Sequence, residues 1–86
     1  MRKRAEWMKS ADEKILDILQ GGLMLGPTTI GKNLDLSRSY VSRRLSILIA
    51  YEFVEQVEEG YYQITDRGKL WLDGEIDASE LDPGKE

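Results

Sequence analysis

The sequence predicts a mainly α chain with one small β-hairpin, an α+β fold. Three observations predict it. Apolar residues recur at helical spacing in four separate stretches. A Glu58-Glu59-Gly60 loop separates two short runs of β-branched and aromatic residues. With 86 residues the chain is one domain, and it must build a compact core because so short a chain buries only about 60–65% of its unfolded surface.

Ser10-Ala11-Asp12-Glu13 reads as a capping box opening the first helix: the serine caps an orphan amide and Glu13 reaches back. Ala11, Ile15, Ile18 and Leu19 form its apolar stripe, and Gly21-Gly22 ends it. Leu23 to Leu25 reads as a short strand. Gly26-Pro27-Thr28-Thr29 starts a second helix, about Pro27 to Leu34, with proline in the first turn where its missing amide is not needed. Ile30 and Leu34 face inward. Gly31 costs about 1 kcal/mol relative to alanine in mid-helix, which implies that another helix crosses closely there. Asp35-Leu36 makes a tight turn. Ser37 caps a third helix running to about Tyr51, with Val41, Leu45, Leu48 and Ile49 as its core stripe. At about 100° per residue, Ser39, Arg43 and Ser46 point away from that stripe. Phe53, Val54 and Val57 form one arm of the hairpin and Tyr61, Tyr62 and Ile64 the other, with Gly60 where the loop needs positive φ. Side chains alternate along a strand, so one of the two tyrosines packs inward. Thr65 or Asp66 caps a last short helix through Leu72.

This order of elements is that of a winged helix-turn-helix domain: a three-helix core, a wing and a C-terminal helix. The helix from Ser37 to Tyr51 is then the one that enters a DNA major groove. The expected boundaries are a basic N-terminal arm at residues 1–9, the domain at 10–74 and an acidic, partly ordered tail at 75–86.

Composition narrows the function. Cysteine and histidine are both absent, which removes disulfides, thiol nucleophiles, zinc-finger ligand sets and histidine acid/base catalysis. No calcium-hand loop, phosphate loop or nucleophile elbow is present, so no enzyme, metal, cofactor or small-molecule ligand is expected. No apolar run approaches the roughly 18 residues of a membrane helix, and none follows Arg2, Lys3 and Arg4 as a secretory signal requires. The expected compartment is the cytoplasm, without membrane association. The net charge of −4 is unevenly spread: residues 27–50 carry four basic side chains and one acidic, whereas residues 51–86 carry three basic and eleven acidic. A basic middle on an acidic body suits a local contact with a polyanion.

Within the helix-turn-helix, Arg43 is the sharpest candidate, because an outward guanidinium can bind guanine O6 and N7 together. Arg38 lies in the first turn, where recognition helices meet bases; Ser37, Ser39 and Ser42 are less discriminating partners. Arg44, on the side shared with Tyr40, Ile47 and Tyr51, reads either as a phosphate contact or as half of an internal salt bridge. Tyr40 can bond a phosphate or cover the hairpin. Thr28, Thr29 and Lys32 sit on the helix that crosses the backbone, whose N-terminal amides favour an anion. Glu58 and Glu59 make the wing tip acidic, which repels phosphate, so the tip stands off and Tyr61 or Tyr62 makes any contact. Arg2-Lys3-Arg4 reads as a DNA-tracking arm or a solvated basic end. Trp7, Trp71, Leu72 and Ile76 read as plain core or as a two-fold interface; the interface is expected, giving a homodimer.

The stretches Glu6-Trp7-Met8, Ala11-Asp12-Glu13-Lys14-Ile15-Leu16, Asn33-Leu34-Asp35-Leu36, Tyr40-Val41-Ser42-Arg43-Arg44 and Ile64-Thr65-Asp66-Arg67-Gly68 resemble a haloarchaeal family. Its members are short winged-helix regulators similar to the halophage Phi-H repressor. The resemblance covers about Glu6 to Leu81. It implies a small, sequence-specific transcriptional regulator, a repressor and dimeric, binding double-stranded DNA. The chain departs from a strongly halophilic composition in keeping six lysines. The alternative function is a winged-helix protein-interaction module that does not bind DNA, since fold does not fix function.

Overall fold

A computed structural model describes residues 5–22 and 24–80. The elements are α1 (Ser10–Leu19), α2 (Pro27–Leu34), α3 (Arg38–Ala50), β1 (Val54–Glu58), β2 (Tyr61–Ile64) and α4 (Asp66–Leu72), followed by one 3₁₀ turn at Ala78–Glu80. Strands β1 and β2 form a two-stranded antiparallel sheet.

Each start and stop has a local cause. Pro27 opens α2 behind Gly26, and the Ser37 hydroxyl opens α3 by accepting from the Tyr40 amide at 3.1 Å. Thr65 caps α4, accepting from the Gly68 amide at 3.1 Å. The start of α1 lies one residue earlier than the serine pattern implies. Lys9 is the cap position, and Asp12, not Glu13, reaches back to accept from the Lys9 amide at 3.0 Å. The hairpin also differs in detail. Glu58 is paired with Tyr61, so Glu59-Gly60 makes the turn, and the extra residue is absorbed as an irregularity between Gln56 and Glu58. Gly60 has φ 85°, as the turn requires.

Ile15, Leu16 and Leu19 of α1, Ile30 of α2, Val41, Leu45 and Leu48 of α3, and Phe53, Val54 and Trp71 pack into one core, all between 0 and 2% exposed. Phe53 serves that core from the bend before β1 rather than as a strand residue. Tyr62 is the inward tyrosine and Tyr61 the outward one. The expected strand at Leu23 to Leu25 reduces to one bridge, in which Leu25 and Tyr62 exchange amide–carbonyl hydrogen bonds of 3.0 and 2.9 Å; Leu23 lies outside the described residues. Packing reaches past the expected boundaries at 10 and 74: Met8 is buried, and Ala78 is fully so.

The close approach expected at Gly31 comes mainly from the turn that leads into the next helix. A Cβ there would lie 2.6 Å from the Leu36 carbonyl oxygen and 3.7 Å from the Arg38 amide nitrogen at the start of α3. The Asp35 and Leu36 amides both bond back to the Gly31 carbonyl, with Asp35 in the left-handed conformation at φ 60°. These contacts set the reversal between α2 and α3. Among the described residues, no helix is long and apolar enough to cross a membrane.

Candidate nucleic-acid interface

The turn from Asp35 to Ser37 brings the start of α3 beside the start of α2. Two adjoining clefts result. One, of about 520 Å³, runs along Thr28, Lys32, Ser37 and Arg38. The other, of about 300 Å³, lies between the start of α2 and the wing and is lined by Thr28, Thr29, Arg38 and Tyr61. Thr28 and Arg38 border both. The structure therefore gathers Thr28, Thr29, Lys32, Ser37, Arg38 and Tyr61 into one region, although Thr28 and Tyr61 are 33 positions apart in the chain. Tyr61 is 48% exposed.

Along α3, Arg38, Ser39, Arg43 and Ser46 are exposed, and Tyr40 and Ser42 are half-buried. Among the described residues, neither Lys32, Arg38 nor Arg43 forms an ion pair or side-chain hydrogen bond. These three cations are available to an anion outside the protein. Ser37 is half committed, since its hydroxyl oxygen caps α3. The Ser46 hydroxyl donates to the Ser42 carbonyl at 3.2 Å, within the helix.

Arg44 resolves to the internal alternative and leaves the phosphate set. Its side chain is 8% exposed. Nε donates to Asp12 Oδ1 at 2.7 Å, Nη2 donates to Asp12 Oδ2, and Nη2 also donates to the Trp7 carbonyl at 2.9 Å. The hydrogen bond to Asp12 raises the guanidinium above its ordinary pKa, against desolvation, and the Asp12 charge adds to it. A pKa raised in the folded state stabilises the fold below the ordinary arginine value and loses that contribution only in strongly alkaline solution, so the cation persists throughout the neutral range. Asp12, fully buried, therefore starts α1 and anchors α3 with the same carboxylate. Sequence spacing did not reveal this partnership, because the two residues are 32 positions apart and no local pattern links them.

The expected two-fold interface loses half of its residues. Trp71 and Leu72 are 0 and 6% exposed, and the Trp71 ring lies 6.1 Å from that of Phe53. Both side chains are spent within the chain's own core. Ile76 is half-buried against the core. Trp7 is half-buried, stacked on Tyr51 at 3.8 Å with an interplanar angle of 6°. Its Nε1 is buried and has no hydrogen-bond partner among the described residues. Arg2, Lys3 and Arg4 lie outside the described residues.

The wing is tied to the end of α3. The Thr65 hydroxyl donates to the Glu52 carbonyl at 2.6 Å, and Arg67 Nη1 donates to the Tyr51 carbonyl at 3.2 Å. Glu58 and Glu59 at the tip are exposed. Among the described residues, no three acidic side chains stand close enough together to hold a metal ion.

Comparison with known proteins agrees with this geometry. The chain is 31% identical over 87 aligned residues to the repressor protein of Halobacterium phage phiH, covering 95% of this chain and 98% of that one. The crystal structure of the PhiH1 repressor-like protein from Haloarcula marismortui superposes with a TM-score of 0.88 at 32% identity, covering 96% of this chain and 97% of the other. The crystal structure of IdeR from T. acidophilum shares the fold, with a TM-score of 0.67 at 23% identity over 81% of this chain and 33% of that one. The sequence pattern of one family matches residues 1–84, and the chain accordingly belongs to the winged helix-turn-helix phage repressors.

Proposed function

We propose that the protein is a sequence-specific, double-stranded DNA-binding transcriptional repressor, acting inside the cell as a homodimer. The observation that carries this reading is the outer face of α3. It presents Arg43 between Ser39 and Ser46, with no partner for the arginine among the described residues, on the second helix of a helix-turn-helix. An arginine there reads guanine through O6 and N7, worth about 1–3 kcal/mol of discrimination. Arg38, Ser39 and Ser42 supply neighbouring base or phosphate contacts. Thr28, Thr29, Lys32, Ser37 and Tyr40 hold the phosphate backbone, and Tyr61 supplies the wing contact that the acidic tip does not. Few phosphates are neutralised, so the dependence of affinity on salt is shallow.

The protomer's longest dimension of 30 Å suits two copies side by side on half-sites about 34 Å apart. Trp7 and Ile76 remain the candidates for the two-fold contact. A single monomeric species in size exclusion with light scattering at high micromolar concentration would remove that part of the proposal.

The central test is selection of bound fragments from a genomic DNA library, at low and at molar potassium chloride, with Arg43→Ala in parallel. Enrichment of one or a few inverted repeats, lost in the variant, is the expected result. Retention of random fragments at low salt only would reduce the activity to electrostatic adhesion. The exposed Glu58 and Glu59 favour one second reading, a winged-helix protein-interaction module, and absence of retention at either salt would support it.

A further inference from the structure

Gly26 stands at the cap position of α2 with φ −95°, a conformation open to any residue. Backbone freedom therefore does not call for glycine here. Space does: a Cβ on Gly26 would lie 2.8 Å from the Gly60 carbonyl oxygen, closer than such contacts tolerate. The neighbour is backbone of the wing tip, which cannot swing aside as a flexible side chain would. On either side of this contact the chain is held. Leu25 exchanges two backbone hydrogen bonds with Tyr62, and Pro27 commits the next residue to α2. Between Gly60 and Tyr62 stands Tyr61, exposed on the cleft it shares with Thr28 and Arg38.

We infer that Gly26 is a positioning residue for DNA binding: by admitting the Gly60 carbonyl it seats the wing against the start of α2, which aligns Tyr61 with Arg38 and Thr28 on one phosphate path. The inference rests on the DNA-binding reading above. It assigns to Gly26 no contact with DNA. Seating explains how a wing with an acidic tip still contributes: the tip is spent on α2, and the residue just after it faces the DNA.

The test is a double-mutant cycle on the site obtained by selection, using the full chain and fluorescence anisotropy. Gly26→Ala and Tyr61→Ala are each expected to weaken binding by about tenfold, the equivalent of one phosphate hydrogen bond. The double variant is expected to bind no more than about twofold more weakly than Tyr61→Ala, because both changes remove the same contact. Hydroxyl-radical footprints of Gly26→Ala should lose wing-side protection and keep the protection that depends on Arg43. If Gly26→Ala does not fold, an extra glycine between Glu59 and Gly60 displaces the tip without crowding α2 and carries the same expectation. Additive losses overturn the inference, as does wild-type affinity in either single variant. Site-specific binding by the wild type that is lost in Arg43→Ala keeps the DNA reading intact whatever Gly26 does; no binding by the wild type sinks both.

Discussion

Arg43 and Arg44 are adjacent in the chain and opposite in circumstance. Arg43 lies on the outer side of α3, exposed and without a partner among the described residues. Arg44 lies on the inner side, with its guanidinium shared between a fully buried carboxylate and a backbone carbonyl. A step of about 100° around one helix separates a cation offered to the surroundings from one spent on the fold. The lesson is that positive charge on one helix does not count equally towards an external anion: its worth depends on the side it occupies. Of the four basic side chains in residues 27–50, Arg44 is consumed internally and three remain for an external anion.

The largest effect that can break this comparison is on stability. Arg44→Ala or Asp12→Ala should each cost about 3–5 kcal/mol, since either leaves an uncompensated buried charge. Urea unfolding reads this directly, and the double variant should lose clearly less than the two single losses combined. Equal loss of DNA affinity from Arg43→Ala and Arg44→Ala, at matched folded fraction, would erase the distinction between the two faces.

Next in size is Arg43→Ala, expected to weaken binding to the selected site by about 1–3 kcal/mol while unfolding stability stays within about 0.5 kcal/mol. A salt titration sharpens the comparison further. Glu58→Lys with Glu59→Lys should raise affinity for any DNA at low salt and steepen the slope of log affinity against log salt by up to about 0.9 per phosphate newly met. An unchanged slope would show that the tip stays clear of the backbone even when its charge is reversed. Smallest is Lys32→Ala, a severalfold loss that is uniform across DNA sequences, with the slope shallower by about one.

Much of the fold was readable because its signals are local. Pro27 behind Gly26, Ser37 before α3, Thr65 before α4 and Gly60 in the hairpin each impose backbone geometry on their immediate neighbours. The stripe Val41, Leu45 and Leu48 identified the buried side of α3, and with it the exposure of Ser39, Arg43 and Ser46. The order of these elements was enough to name the architecture. The local signals failed by one residue at α1, because the cap position falls on Lys9, whose side chain gives no capping signal; Asp12, the residue that also binds Arg44, accepts from its amide instead.

What tertiary structure alone decided has one physical character: contact between residues far apart in sequence, whose energies depend on burial. Periodicity placed Arg44 on the flank of α3, but only the fully buried Asp12 carboxylate turned that flank into an internal ion pair. Trp71 and Leu72 are apolar in any reading; packing against Phe53 and its neighbours made them core and left Trp7 and Ile76 partly outside. Gly31 and Gly26 are small in any reading, and only the placement of the Leu36 and Gly60 carbonyls shows what the smallness is for. The elements, their order and the outward face of α3 could be read from the chain, because helix and turn preferences act over a few residues. The division of like side chains between fold and surface was decided by the tertiary structure, because desolvation and steric fit exist only once distant segments meet.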